Sequence, residues 1–135
     1  MKNTPHDLEL YGRDLRRLLS DEPDIVFAVL IGSRADGTAH PGSDWDIALQ
    51  WEPQHDWMAL LGKTETLRGK IAETVGVRPE EIDLVDLRRA NLAMRGSVAE
   101  EGVLLTVENT LAWPHFLRRT WRELEDYYWE RHHAA

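Results

Sequence analysis

The stretch Gly32-Ser33-Arg34-Ala35-Asp36-Gly37-Thr38-Ala39-His40-Pro41-Gly42-Ser43-Asp44-Trp45-Asp46 decides the reading of this chain. An apolar run, Ile25 to Ile31, leads directly into it, and Ile47-Ala48-Leu49 follows. Both flanks read as strands, the first apolar throughout as in a strand covered on both faces. Side chains two apart on an extended strand point to the same face, roughly 6–7 Å apart at the backbone. Asp44 and Asp46 can therefore converge on one hard cation, and carboxylate oxygens of this kind suit magnesium, which takes its remaining ligands from water and substrate phosphates. Gly32 before Ser33 allows backbone and hydroxyl to approach phosphates closely. Trp45 is expected to point away from the two carboxylates, into packing.

The Gly-Ser pair, the ten residues after it and the Asp-X-Asp at the next strand resemble the signature of the DNA polymerase beta–like nucleotidyltransferases. On the short chain and its flanking text, the resemblance narrows to the minimal nucleotidyltransferases, the antitoxin partners of HEPN ribonuclease toxins. It covers about residues 25–107 and rests on Gly32, Ser33, Asp44 and Asp46. It implies an α/β (α+β) nucleotidyltransferase fold, a small mixed β-sheet flanked by helices. It further implies nucleotide held at Gly32 and Ser33, Mg2+ held by Asp44 and Asp46, and ATP as donor. Arg34 has two readings, contact with the nucleotide phosphates or pairing with an acid.

The superfamily adds a third carboxylate from a neighbouring strand, which completes the metal site and can deprotonate the attacking hydroxyl. Ile82-Asp83-Leu84-Val85-Asp86-Leu87 supplies the candidates. Asp83 lies within an apolar alternation, where an aspartate is costly unless paired or metal-bound. The role is carried onto Asp83; Asp86, near the strand end, reads more simply as a helix cap. His40 can act as acid, base or ligand, though a lone loop histidine is ordinarily just exposed.

Around this centre the chain reads as one domain over 1–135, with a catalytic core at about 25–107 and a helical tail at about 111–131. A helix is expected from Pro5 to Leu19, capped by Thr4, with Leu8, Tyr11, Leu15, Leu18 and Leu19 as its stripe. Trp51 to Trp57 is a polar connection that includes His55. A second helix runs from Asp56 to Val75, with Trp57, Leu60, Leu61, Thr64, Leu67, Ile71 and Val75 on one face and Gly76 as its stop. A third covers Arg88 to Glu101 and ends at Gly102, and Val103 to Val107 reads as a strand. Trp113-Pro114 marks a break or start in the tail. Its aromatics, Trp113, Phe116, Trp121, Tyr128 and Trp129, are partly core and partly a candidate partner surface.

Composition fits an ordinary globular protein, with 42% hydrophobic and 30% charged residues. With no cysteine there is no disulfide framework, and no run is long enough to span a membrane, so a cytoplasmic setting is expected. The formal charge of −8 disfavours direct nucleic-acid binding. The expected activity is transfer of AMP from ATP to a tyrosine of a HEPN toxin, a protein adenylylation that shuts the toxin down. The family resemblance, rather than any residue, identifies that partner. The alternatives are a binding-only antitoxin that occludes the toxin and a nucleotidyltransferase for an aminoglycoside-like small molecule.

Overall fold

The apolar run Ile25–Ile31 forms strand β1, at the centre of the molecule, with six of its seven residues buried. A computed structural model describes residues 6–53, 56–107 and 110–133. The proposed cap Thr4, Pro5 and His55 lie outside the described residues. Helix α1 (His6–Ser20) precedes β1, and the short helix α2 (Ser33–Asp36) follows it. Strand β2 (Trp45–Trp51), helix α3 (Trp57–Val75), strand β3 (Ile82–Asp86), helix α4 (Leu92–Glu101), strand β4 (Val103–Leu104) and helix α5 (Ala112–His133) complete the order.

The sheet order is β3-β2-β1-β4. β1 pairs antiparallel with β2 and β4, whereas β3 lies parallel to β2. The hairpin from β1 to β2 carries the Gly-Ser segment, and α3 is the crossover that a parallel β2–β3 pair requires. This is the expected small mixed sheet with helices against it.

Two cores lie on the two sheet faces. On the first, Ala28, Leu30, Ile47, Leu49 and Ile82 pack beneath α1 and α3 through Leu15, Leu19, Leu67, Ile71 and Val75. On the second, Phe27, Val29, Ile31 and Ala48 meet Val98 of α4 and Phe116 of α5. Trp113 stacks on Phe116 with centroids 5.5 Å apart and also edges onto Phe27.

Local chemistry explains the boundaries. Asp56 caps α3 by accepting from the amides of Met58 and Ala59, and Gly76 ends it at φ 75°. The helix expected from Arg88 begins only at Leu92. Asp86 first draws the amide of Arg88 into a turn, and Asn91 caps the helix through the amide of Met94. The strand expected over 103–107 is paired only at Val103–Leu104, although the Leu105 amide still donates to the Ala28 carbonyl and Thr106 Oγ1 accepts from the Ala28 amide. Of the two readings of Trp113-Pro114, the start holds: α5 begins at Ala112 and Pro114 does not break it. The proline sits in the first turn, where a helix has no use for its missing N–H.

The expected apolar face of α3 is buried only in its second half. Trp57 and Leu61 are exposed, whereas Leu60 between them packs partly on the core. The tail divides similarly: Phe116 is buried, whereas Trp121, Tyr127, Tyr128 and Trp129 are exposed. Among the described residues, no helix is long and apolar enough to cross a membrane.

Candidate active site

Strand register assembles the site. Ile31 of β1 pairs with Asp46 of β2, and Asp46 pairs with Asp83 of β3. The three residues form one row across the sheet, on the face that carries Val29, Ala48 and Val85 one step further in. Asp44 joins from just outside β2. Asp44 and Asp83 are exposed and Asp46 is half-buried, so the acidic row opens to solvent. Asp86, by parity, faces the other way and is held in its turn with Arg88.

The electrostatics show that the carboxylates sense one another. Asp46 is held above the usual value of 3.8, first by burial, then by the charge of Asp83 and of Asp44. A hydrogen bond between the Asp46 and Asp83 carboxyls, which requires a proton on one of them, pushes in the same direction. Clustered acids at a strand end cost stability unless a cation offsets them.

This donor set suits Mg2+. The oxygens are hard, and the charges of Asp83 and Asp44 act on Asp46, so the acids repel one another in the absence of a cation. Among the described residues no group of three acidic, histidine or cysteine side chains is placed to hold a metal ion as it stands. Mg2+ binds through one or two carboxylates and takes its other positions from water and substrate phosphate.

Gly32 stands directly against this row. It adopts φ 71° and ψ −157°, a region that glycine alone occupies without strain. A Cβ there would lie 2.5 Å from Asp46 Oδ2, so the glycine is required twice, by its conformation and by the closeness of the carboxylate. Ser33, half-buried, opens α2, so the segment expected to be loop begins with a helical turn. The turn closes at Gly37, whose φ of 83° ends it in the left-handed conformation.

Arg34 takes the acid-pairing arrangement. Nη1 donates to both carboxylate oxygens of Asp7, at 3.2 and 3.3 Å, and Nη2 donates to the Ser43 carbonyl at 2.7 Å. The guanidinium carbon lies 4.8 Å from the Trp45 ring centroid, and the residue is buried. Trp45 is buried as expected and meets Tyr11 edge-on. His40 serves the turn: its Nδ1 accepts from the Gly42 amide and its amide donates to Ser43 Oγ. Sequence reading missed Asp7 altogether. It lies 27 positions before Arg34, and no local pattern links the two.

Comparison with known proteins identifies the family. Residues 13–110 match the family described as "Polymerase beta, Nucleotidyltransferase". The chain belongs to this nucleotidyltransferase family. It is 28% identical over 95 residues to a protein adenylyltransferase MntA from Aphanizomenon flos-aquae (strain 2012/KM1/D3), across 68% of this chain and 63% of that relative's length. A toxin–antitoxin crystal structure with AMP-PNP superposes with a TM-score of 0.68 at 28% identity, covering 90% of this chain and 92% of that one. A tri-AMPylated Shewanella oneidensis HEPN toxin in complex with MNT antitoxin gives 0.63 at 25% identity, covering 92% of each chain.

Proposed function

We propose that this protein is an antitoxin that neutralises a HEPN ribonuclease toxin by Mg2+-dependent transfer of AMP from ATP to a toxin tyrosine. The observation that carries the reading is the acidic row Asp46–Asp83, joined by Asp44 and set against Gly32-Ser33. The relatives support it: one is named a protein adenylyltransferase, and another is an antitoxin bound to a tri-AMPylated toxin.

In this reading Gly32 and the Ser33 hydroxyl hold the β- and γ-phosphates of ATP. Asp44, Asp46 and Asp83 hold the metal. Mg2+, when bound, neutralises phosphate charge and orients the α-phosphate for displacement. Asp83, at the exposed end of the row, favours loss of the proton from the acceptor hydroxyl. The acceptor oxygen bonds to the α-phosphorus as the bond to the bridging oxygen breaks, and pyrophosphate leaves. The exposure of Asp44 and Asp83 suits an acceptor presented by another protein. The alternation that buries Trp45 and exposes the acids serves catalysis and fold together.

Intact mass of the HEPN protein after incubation with this chain, ATP and Mg2+ tests the reading. AMP-sized gains are expected, and the Asp44→Asn/Asp46→Asn double variant should lose them by at least about 10³-fold while keeping its fold. Transfer that survives in the double variant overturns the metal site. A tight complex without any mass gain overturns the enzymatic role.

A further inference from the structure

We propose that Arg34 and Asp7 form a clamp that sets the position of Asp44 for metal binding, making both of them positioning residues. The inference rests on the nucleotidyltransferase reading above for the identity of the metal site, and on four contacts for its geometry. The Arg34 guanidinium touches the residue on each side of Asp44: it donates to the Ser43 carbonyl at 2.7 Å and lies over the Trp45 ring at 4.8 Å. Its own backbone follows Ser33 directly. One side chain thus spans from the Gly-Ser segment to the Asp-X-Asp segment. Asp7 of α1 fixes the guanidinium from behind through both carboxylate oxygens. Asp7, in the first turn of α1, lies outside the 13–110 segment matched by the family, so the clamp depends on a residue beyond the matched core.

The physical argument concerns geometry more than stability. The pair is largely desolvated, with side-chain exposures of 10% and 17%, and Arg34 Nε is buried with no partner among the described residues. A buried ion pair gains little net stability over apolar packing of equal volume. What a planar guanidinium supplies is three fixed directions at once, which an ammonium cannot reproduce. Asp44 itself is exposed and stands just outside β2, at its start. The ordered flanks, Ser43 and Trp45, are what fix its approach to Asp46. Partners of this kind commonly change metal affinity by about 10–100-fold when removed.

The test measures Mn2+ binding to the full chain in the presence of AMP-PNP, by the loss of the free Mn2+ electron paramagnetic resonance signal. Variants are Asp7→Asn, Arg34→Lys and, as a control, Glu123→Gln. The control breaks the Arg95–Glu123 ion pair on the α4–α5 side, which touches no part of the site. Asp7→Asn leaves the guanidinium and its Ser43 bond in place, so the measurement stands even if Arg34→Lys folds poorly. The clamp requires half-saturation to rise about tenfold in Asp7→Asn, with the Mn2+ stoichiometry retained and Glu123→Gln unchanged. Wild-type affinity in Asp7→Asn, an equal loss in Glu123→Gln, or no Mn2+ binding by the wild type would each overturn it. AMP transfer by the same preparations separates the two readings. Clamp-dependent Mn2+ binding without any transfer would defeat the proposed function and leave the clamp standing. Transfer with Mn2+ affinity indifferent to Asp7 would do the reverse.

Discussion

Two neighbouring rows of the same sheet differ by one residue step and have opposite chemistry. Leu30, Ile47 and Leu84 form one row beneath α1 and α3, where Leu30 and Ile47 are fully buried. Ile31, Asp46 and Asp83 form the next, on the other face, where the apolar cover of α4 and α5 stops and carboxylates take its place. The strand period of two is what permits this, since adjacent residues never share a face. One row carries the fold and the other carries the charge, and the backbone hydrogen bonds are common to both. Substitutions on the first should therefore act on stability, and those on the second on transfer.

Breaking the apolar row gives the largest effect on the fold. Ile47→Ala removes a side chain with no exposure, in contact with the α1–α3 core, and should cost about 2–5 kcal/mol. Denaturant unfolding measures it. Transfer per folded molecule should stay near that of the wild type, because Asp46 is held by the same ladder bonds. A large loss of turnover in the folded fraction would show that the two rows are coupled.

Much of this contrast was readable from the sequence, and the part that was not has a physical reason. Local signals carried β1, with its seven apolar residues, and α3, with Asp56 before it and Gly76 after it. Spacing also marked Asp44 and Asp46 as a candidate pair, and the charge of Asp44 is felt at Asp46. Asp83 came from the family resemblance together with an alternation, and the register now sets it beside Asp46. What escaped depended on other elements. Trp57 and Leu61 fit the periodic face of α3 yet are exposed, because periodicity does not tell which turns of a helix find a neighbour to pack against. Asp7 meets Arg34 only because α1 packs beside the hairpin, a fact of tertiary packing with no trace in either local sequence.

Crowding the acidic row is a sharper test at a smaller cost in stability. Gly32→Ala places a methyl 2.5 Å from Asp46 Oδ2 and forces alanine into φ 71°. The strained backbone should cost about 1–3 kcal/mol. A displaced carboxylate near the reacting phosphate should slow transfer by about 10²-fold. Steady-state assays at saturating ATP, with the folded fraction measured in parallel, distinguish the two losses. Equal losses in Gly32→Ala and Ile47→Ala at equal stability would erase the distinction between the rows.

Neutralising one acid should produce the smallest effect, and its sign is the informative part. Burial, then Asp83 and Asp44, hold Asp46 above 3.8, so the folded state keeps a proton that the unfolded chain releases. Stability from this site is therefore greatest below 3.8, falls as pH rises through the window up to the raised folded value, and stays reduced at neutral pH. Asp46→Asn carries no such penalty. It should raise Tm at pH 7 by about 1–2 °C, and the gain should vanish when melting is repeated below the ordinary carboxylate range. Mg2+ with AMP-PNP should reverse the order at pH 7, stabilising the wild type and leaving the variant behind, because a cation converts the repulsion among these acids into binding energy. A variant that melts below the wild type at pH 7 without metal would mean that the Asp46 carboxylate contributes to the fold as an apolar-row residue does.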